Sequence, residues 1–148
     1  MGQGETGFAG TIRAAREAAG KDPGELAAAL EMSYESYRDI EWYDDEITSV
    51  VSYRDAVTLA GLLELDLRGM FGADDTVIAF ADLAAALRLR LGGTSLEQLE
   101  DELGWELAGA LADPTTFAEF SLDGLADVAG PLGLDWRHLL PVPRPANE

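Results

Sequence analysis

The chain has 148 residues, a formal net charge of −18 at neutral pH and no cysteine. Such a charge opposes nonspecific binding to nucleic acid and to anionic lipid, and without cysteine there is no disulfide framework and no thiolate nucleophile. Apolar residues make up 47% of the chain, with Ala and Leu dominant, which favours an all-α protein of one or two small domains with a hydrophobic core.

The N-terminal segment carries no recognisable targeting signal. Residues 1–11 lack the basic start and apolar run of a signal peptide, and Glu5 weakens a formal match to an acylation pattern. The apolar stretch from Val77 to Leu91 is broken by Asp82, Arg88 and Arg90, so we expect no membrane span. We expect a cytoplasmic protein.

The first three predicted helices follow one another closely. Phe8 to Ala19 has an apolar face at helical spacing, and Gly20 ends it. The segment from Asp22 to Trp42 indicates two short helices joined by a tight turn. Asp22 and Glu25 have the spacing of a capping box around the first of them, and Ser33 is a suitable N-cap for the second.

The remaining part of the first half predicts an acidic loop and two more helices. The loop runs from Tyr43 to Val51. Ser52 is expected to cap a fourth helix, and Asp66 a short fifth helix that reaches Phe71. We therefore predict five helices between residues 8 and 72.

The order and motifs of these helices resemble the Cro/phage-repressor (XRE) helix-turn-helix family over about residues 8–72. The motifs are Ile12-Arg13 with Arg16, then Glu25-Leu26-Ala27, then Ser33 with Ile40-Glu41, then Leu59-Ala60 with Leu63, Leu67 and Met70-Phe71. The resemblance implies a five-helix lambda-repressor-like fold and an ion pair between Arg16 and Glu41. Two departures stand at Glu31 and Glu64, where the family usually has Gly because the backbone is left-handed.

The second half of the chain aligns with the first. Leu96–Leu103 matches the second helix, with Leu99 in the place of Leu26, and Ser121–Leu140 matches Ser52–Phe71 position by position. Asp74-Asp75-Thr76 is expected to cap a long helix that reaches Leu91. Coincidence among helices rich in Leu and Ala is the alternative explanation. We predict tandem helix-turn-helix units at residues 8–72 and 74–141, the second degenerate, and a flexible tail at 142–148.

DNA binding is one functional hypothesis, because the second helix of a helix-turn-helix enters the major groove. The candidate DNA contacts are Arg13, Lys21, Ser33, Tyr34, Ser36 and Arg38. Against it, residues 33–46 hold one basic and six acidic side chains, while DNA binding relies on Lys and Arg. Residues 91–136 hold ten carboxylates and no Lys or Arg, so we expect DNA contact through the first unit only.

A protein partner is the favoured hypothesis. The candidate partner contacts are Tyr34, Glu35, Arg38, Trp42, Tyr43, Asp44, Asp45 and Glu46. Aromatic rings supply contact area and carboxylates steer association, which indicates a basic partner, as for an antitoxin, an immunity-type protein or a DNA-mimicking regulator. The alternatives are a transcriptional repressor that binds DNA as a homodimer, with its second unit used for pairing, and a purely structural dimer subunit.

Some of these side chains have a structural interpretation beside the functional one. Tyr37 is expected in the core together with Trp105 and Trp136, Tyr34 is a further candidate for the buried side of its helix, and Trp42 fits core and surface equally.

Catalysis is not expected. His138 is the single histidine and has no marked partner in the sequence. Asp44-Asp45-Glu46 lacks the alternation and the glycine of a calcium loop, and Gly92-Gly93 is not followed by the lysine of a phosphate-binding loop. We predict no enzyme activity, no metal site and no cofactor.

Overall fold

The structure is a computed structural model that describes residues 7–142. This range holds ten α-helices and three 3₁₀ helices and no β-strand, which confirms the all-α prediction. The helices are α1 Phe8–Ala19, α2 Pro23–Ala29, α3 Tyr34–Trp42, α4 Glu46–Ser49, α5 Tyr53–Leu63, α6 Leu67–Phe71, α7 Phe80–Leu91, α8 Leu96–Leu103, α9 Ala108–Ala112 and α10 Leu122–Ala129, with 3₁₀ helices η1 Pro114–Glu119, η2 Gly130–Leu132 and η3 Trp136–Leu139. The acylation pattern and, apart from Val142, the predicted tail lie outside the described residues.

Side-chain caps fix most helix starts in the first half where the sequence predicts them. Asp22 accepts a hydrogen bond from the Gly24 amide, and Glu25 accepts one from the Asp22 amide. Ser33 and Ser52 likewise cap α3 and α5. Each cap satisfies an amide that the first helical turn leaves without an intrahelical partner.

Two predicted boundaries are wrong. The segment from Tyr43 to Val51 is not entirely a loop, because α4 forms within it. The helix expected after Thr76 begins only at Phe80, with Asp82 accepting a hydrogen bond from the Ala79 amide at 2.8 Å. Asp74 caps no helix, because its carboxylate accepts from the Thr76 amide in a local turn.

The two glutamates in place of family glycines adopt the left-handed backbone expected there. Glu31 has φ 57° and Glu64 has φ 54°, and they are the two non-glycine residues with positive φ within residues 7–142. A side chain makes this conformation less favourable than it is for glycine. Both residues are therefore positions where glycine is expected to be stabilising.

A single hydrophobic core joins the two halves of the chain. Ile12 and Leu59 from the first half and Leu83 and Leu125 from the second are almost fully buried in the same cluster. The two halves are therefore packed together rather than joined only by a linker.

No described helix has both the length and the apolarity that a membrane crossing requires.

Trp105 and Trp136 are half-buried and pack against this core. The Trp105 ring is stacked on Phe120 with centroids 4.9 Å apart, and the Trp136 ring meets Phe71 edge-on at 5.2 Å. Their apolar bodies contribute to packing while one edge of each ring stays near water.

Candidate partner-binding surface

Helix α3 has one buried side and one exposed side. Tyr37, Ile40 and Glu41 are buried, whereas Arg38 and Asp39 are exposed. The packing of α3 against α1 and α2 accounts for this orientation. Residues 33–36 are all exposed, so the beginning of α3 is open to solvent.

Three aromatic rings stand out into solvent along α3 and the residue after it. Tyr34 is 51% exposed, Trp42 63% and Tyr43 59%. The interpretation of Tyr34 as a residue of the buried side is therefore wrong, and for Trp42 the surface alternative is the correct one. The Arg38 guanidinium lies over the Tyr34 ring, 5.9 Å from its centroid. Large rings are usually buried, so three exposed rings on one nine-residue helix and the residue after it are unusual.

Three carboxylates lie beside these rings without a cationic partner. Asp39 and Asp45 are exposed and Glu46 is half-buried, and none of them forms an ion pair within residues 7–142. Partial burial and the negative charges of Asp39 and Asp45 raise the pKa of Glu46. The Asp39 and Asp45 carboxylates are therefore both close enough to Glu46 to repel its negative charge, and a cation near Glu46 would relieve that repulsion. We call the set Tyr34, Asp39, Trp42, Tyr43, Asp45 and Glu46 the acidic–aromatic surface.

The other three predicted partner contacts, Asp44, Glu35 and Arg38, lie in three different environments. Asp44 accepts a hydrogen bond from the Ala9 amide at 3.0 Å, so its carboxylate serves to cap α1. Glu35 is exposed on the first turn of α3, and Arg38 is held over Tyr34. Asp44 and Ala9 are far apart in the chain, so the sequence alone could not show that Asp44 caps α1.

Arg16 and Glu41 form the ion pair that the family resemblance implies. The Arg16 Nε–Glu41 Oε2 distance is 2.6 Å and the Nη2–Oε1 distance is 3.1 Å, a two-pronged geometry. Hydrogen bonding to Glu41 raises the pKa of Arg16. Arg16 also donates to the Lys21 carbonyl. The Arg16 guanidinium is therefore held by Glu41 and the Lys21 carbonyl and is not available to a phosphate.

The predicted DNA contacts are dispersed over elements with different environments. Arg13 is exposed on α1 and Lys21 is half-buried. Ser33 accepts from the Ser36 amide and donates to the Ser36 hydroxyl at 3.0 Å, so its hydroxyl is engaged in the helix cap. In the second half, α9 is only five residues long and carries no charged side chain. The helix in the position expected to read DNA, α3 in the first half and α9 in the second, is therefore acidic in one half and uncharged in the other.

His138 has a partner that the sequence did not indicate. Its Nε2 atom lies 2.9 Å from Asp74 Oδ1, which belongs to the connection between the halves, and its side chain is 18% exposed. Within residues 7–142 no group of three or more His, Cys, Asp or Glu side chains is arranged to hold a metal ion. The pair links the connection between the halves to η3.

We expect the Tyr37→Phe variant to keep or slightly gain stability. The Tyr37 hydroxyl is buried without a partner in hydrogen-bond geometry among the described residues, and burial, followed by the neighbouring Glu41 carboxylate, raises its pKa. Removing an unsatisfied buried polar group relieves its desolvation cost. The matched control is Tyr53→Phe, because the Tyr53 hydroxyl donates to the Leu139 carbonyl at 2.6 Å. Urea unfolding should show a loss of about 1 kcal/mol for the control alone, and equal losses would contradict the assignment.

Comparison of the chain with protein families, curated proteins and solved structures gave no match.

Proposed function

We propose that this protein is a regulatory module of the XRE helix-turn-helix type, built from tandem units, that acts by binding a basic protein through the acidic–aromatic surface. It would act as an antitoxin, an immunity-type protein or a DNA-mimicking regulator does. The observation that carries the proposal is the exposure of Tyr34, Trp42 and Tyr43 beside carboxylates that have no cationic partner within residues 7–142.

The chemistry of this surface suits a cationic polypeptide. Trp and Tyr are the residues most often found to dominate binding energy at protein interfaces. Unpaired carboxylates accelerate the approach of a basic partner and select it by charge. An arginine side chain meets both needs, since its guanidinium stacks on a ring and pairs with a carboxylate. The charge of −18 extends the attraction beyond the contact itself.

The second half offers no equivalent surface, which supports a single site per chain. Helix α9 stands in the second half where α3 stands in the first, and it consists of Ala108, Gly109, Ala110, Leu111 and Ala112. These residues combine neither ring nor charge. One partner molecule should therefore bind each chain.

The first test is titration of the full chain with a labelled arginine-rich peptide, followed by fluorescence anisotropy. We expect 1:1 binding that weakens as salt rises, because screening reduces the attraction. Trp42→Ala and Asp45→Lys should each weaken binding by about tenfold or more, since both remove central contacts.

Matched controls separate this surface from the overall charge. Leu89→Ala removes an apolar side chain that is 84% exposed on α7. Glu97→Lys makes the same change in net charge as Asp45→Lys at an exposed position in α8. Both controls should bind nearly as well as the parent. If Glu97→Lys weakens binding as much as Asp45→Lys, the attraction is diffuse and the proposed site is wrong.

A mobility-shift assay at low salt distinguishes the repressor alternative. The proposal expects no retention of random or promoter DNA, because phosphates are repelled by this surface. Tight, salt-sensitive DNA binding that Arg38→Ala abolishes would overturn it in favour of a DNA-binding regulator.

A further inference from the structure

The contacts between the two halves of the chain occur in matching pairs. Helix α5 packs against η1, which precedes α10, and α10 packs against α4, which precedes α5. Helix α6 packs against η3, the last helix of the second half. Each half therefore presents the same sequence of elements to the other, as the two subunits of a two-fold dimer do.

Residues at the centre of this interface meet their own counterparts. Ser52 and Ser121, which occupy the same position in the two aligned halves, form an isolated antiparallel bridge, and the Tyr53 amide donates to the Phe120 carbonyl at 2.7 Å. Both serines also cap the helices that follow them. Equivalent positions touch each other directly only on or beside a two-fold axis.

Two arginines at equivalent positions make reciprocal contacts away from the centre of the interface. Arg68 Nη1 donates to the Leu140 carbonyl at 2.9 Å, and Arg137 Nη1 donates to the Phe71 carbonyl at 3.2 Å. In the alignment that pairs Ser52 with Ser121, Arg137 is the counterpart of Arg68 and Leu140 is the counterpart of Phe71. Each arginine thus satisfies the equivalent carbonyl at the end of the other half's last helix.

The outer contacts fall within one residue of equivalent positions but differ in chemistry. Arg54 pairs with Glu119, and Asp123, the counterpart of Arg54 in the second half, accepts from the Ser49 hydroxyl at 2.6 Å. The second residue of α5 and the second residue of α10 therefore each reach the end of the short helix in the opposite half. Because these contacts differ, the first half is complementary to the second half and less so to another copy of itself.

We infer that the face formed by α4, α5 and α6 is a two-fold association surface whose occupant is the second half of the same chain. The protein is thus built like a two-fold dimer whose two units are fused through residues 72–79. The homodimer considered from the sequence is not expected through this face, which is already covered. The inference is independent of the proposed function.

The test uses the full chain with a protease site inserted between Asp75 and Thr76. After folding and cleavage, we expect the two pieces to remain together as one 1:1 complex with the mass of the uncut protein and unchanged helical circular dichroism. A matched site between Gly92 and Gly93, in an exposed turn within the second half, is the control. Cleavage there cuts through one unit and should reduce helicity.

Two engineered disulfides check the pairing in the uncut chain, which has no cysteine of its own. Ser49→Cys with Asp123→Cys, and separately Ser52→Cys with Ser121→Cys at the antiparallel bridge, should each form a bond within one chain, leaving a monomer on a non-reducing gel. Separation of the cleaved pieces, equal tolerance of both cuts, or disulfides formed between chains would overturn the inference. The disulfide measurement decides the matter even if an inserted site prevents folding.

Discussion

Replacing Glu41 by alanine is expected to lower the free energy of unfolding by about 3–5 kcal/mol, the usual loss when one partner of a buried ion pair is removed. The side chains of Arg16 and Glu41 are 14% and 8% exposed, so the guanidinium left behind would be largely cut off from water. Among the described residues, the guanidinium would retain only the Lys21 carbonyl as a hydrogen-bond partner. Urea unfolding followed by circular dichroism measures the loss.

The control for this variant is Glu102→Ala. Glu102 also pairs with an arginine, Arg90, at 2.5 Å, but their side chains are 53% and 39% exposed. Water screens such a pair, and its loss should cost less than about 1 kcal/mol. Combining Arg16→Met with Glu41→Leu should recover much of the stability lost in Glu41→Ala, because no buried charge then remains unpaired. Similar losses for Glu41→Ala and Glu102→Ala would contradict the burial argument.

The sequence predicts those features of the fold that depend on contacts between residues close together in the chain. The starts of α2, α3 and α5 depend on Asp22, Ser33 and Ser52, whose partners lie in the first turn of the helix that each one caps. The left-handed backbone at Glu31 and Glu64 and the ion pair of Arg16 with Glu41 were expected because the resemblance to a known family supplied positions that periodicity alone does not.

What the sequence could not predict depends on contacts between distant residues. The start of α7 was misplaced because Asp74 and Thr76 take part in a turn whose carbonyls are bound by Arg68. The role of Asp44 and the partner of His138 likewise arise only after folding brings distant segments together. An arginine that binds backbone carbonyls has no sequence signature, because any residue type can supply the carbonyl.

The acidic–aromatic surface lies between these two cases. The sequence placed rings and carboxylates together, yet the exposure of Trp42 could not be decided from helical periodicity. Trp42 is the last residue of α3, where the chain turns into α4, so its environment depends on how α4 packs. Tyr34 lies in the first turn of α3, where residues 33–36 are all exposed, and helical periodicity does not indicate that exposure.

Arg68→Met is expected to lower the free energy of unfolding by about 3–5 kcal/mol and to loosen the connection between the halves, because a buried charged donor is removed. Arg68 is only 6% exposed and donates to carbonyls of both the connection and the C-terminal segment. Those carbonyls belong to Asp74, Thr76, Arg137, His138 and Leu140. A hydrogen bond from a charged donor contributes about 1.5–3 kcal/mol, and such contributions overlap when they share one side chain.

Replacement of a buried charge by an apolar residue can be harmless when its charged partner is replaced as well. Here the partners are backbone carbonyls, which no substitution removes, so Arg68→Met leaves several of them without a donor. Arg54→Met is the matched control, because Arg54 also contacts the other half but its side chain is 61% exposed, and it should cost less than about 1 kcal/mol. Amide exchange of Ile78, whose N–H donates to the His138 carbonyl at 3.0 Å, should accelerate in Arg68→Met alone. Unchanged exchange together with a loss no larger than that of the control would show that packing, rather than this arginine, holds the two halves together.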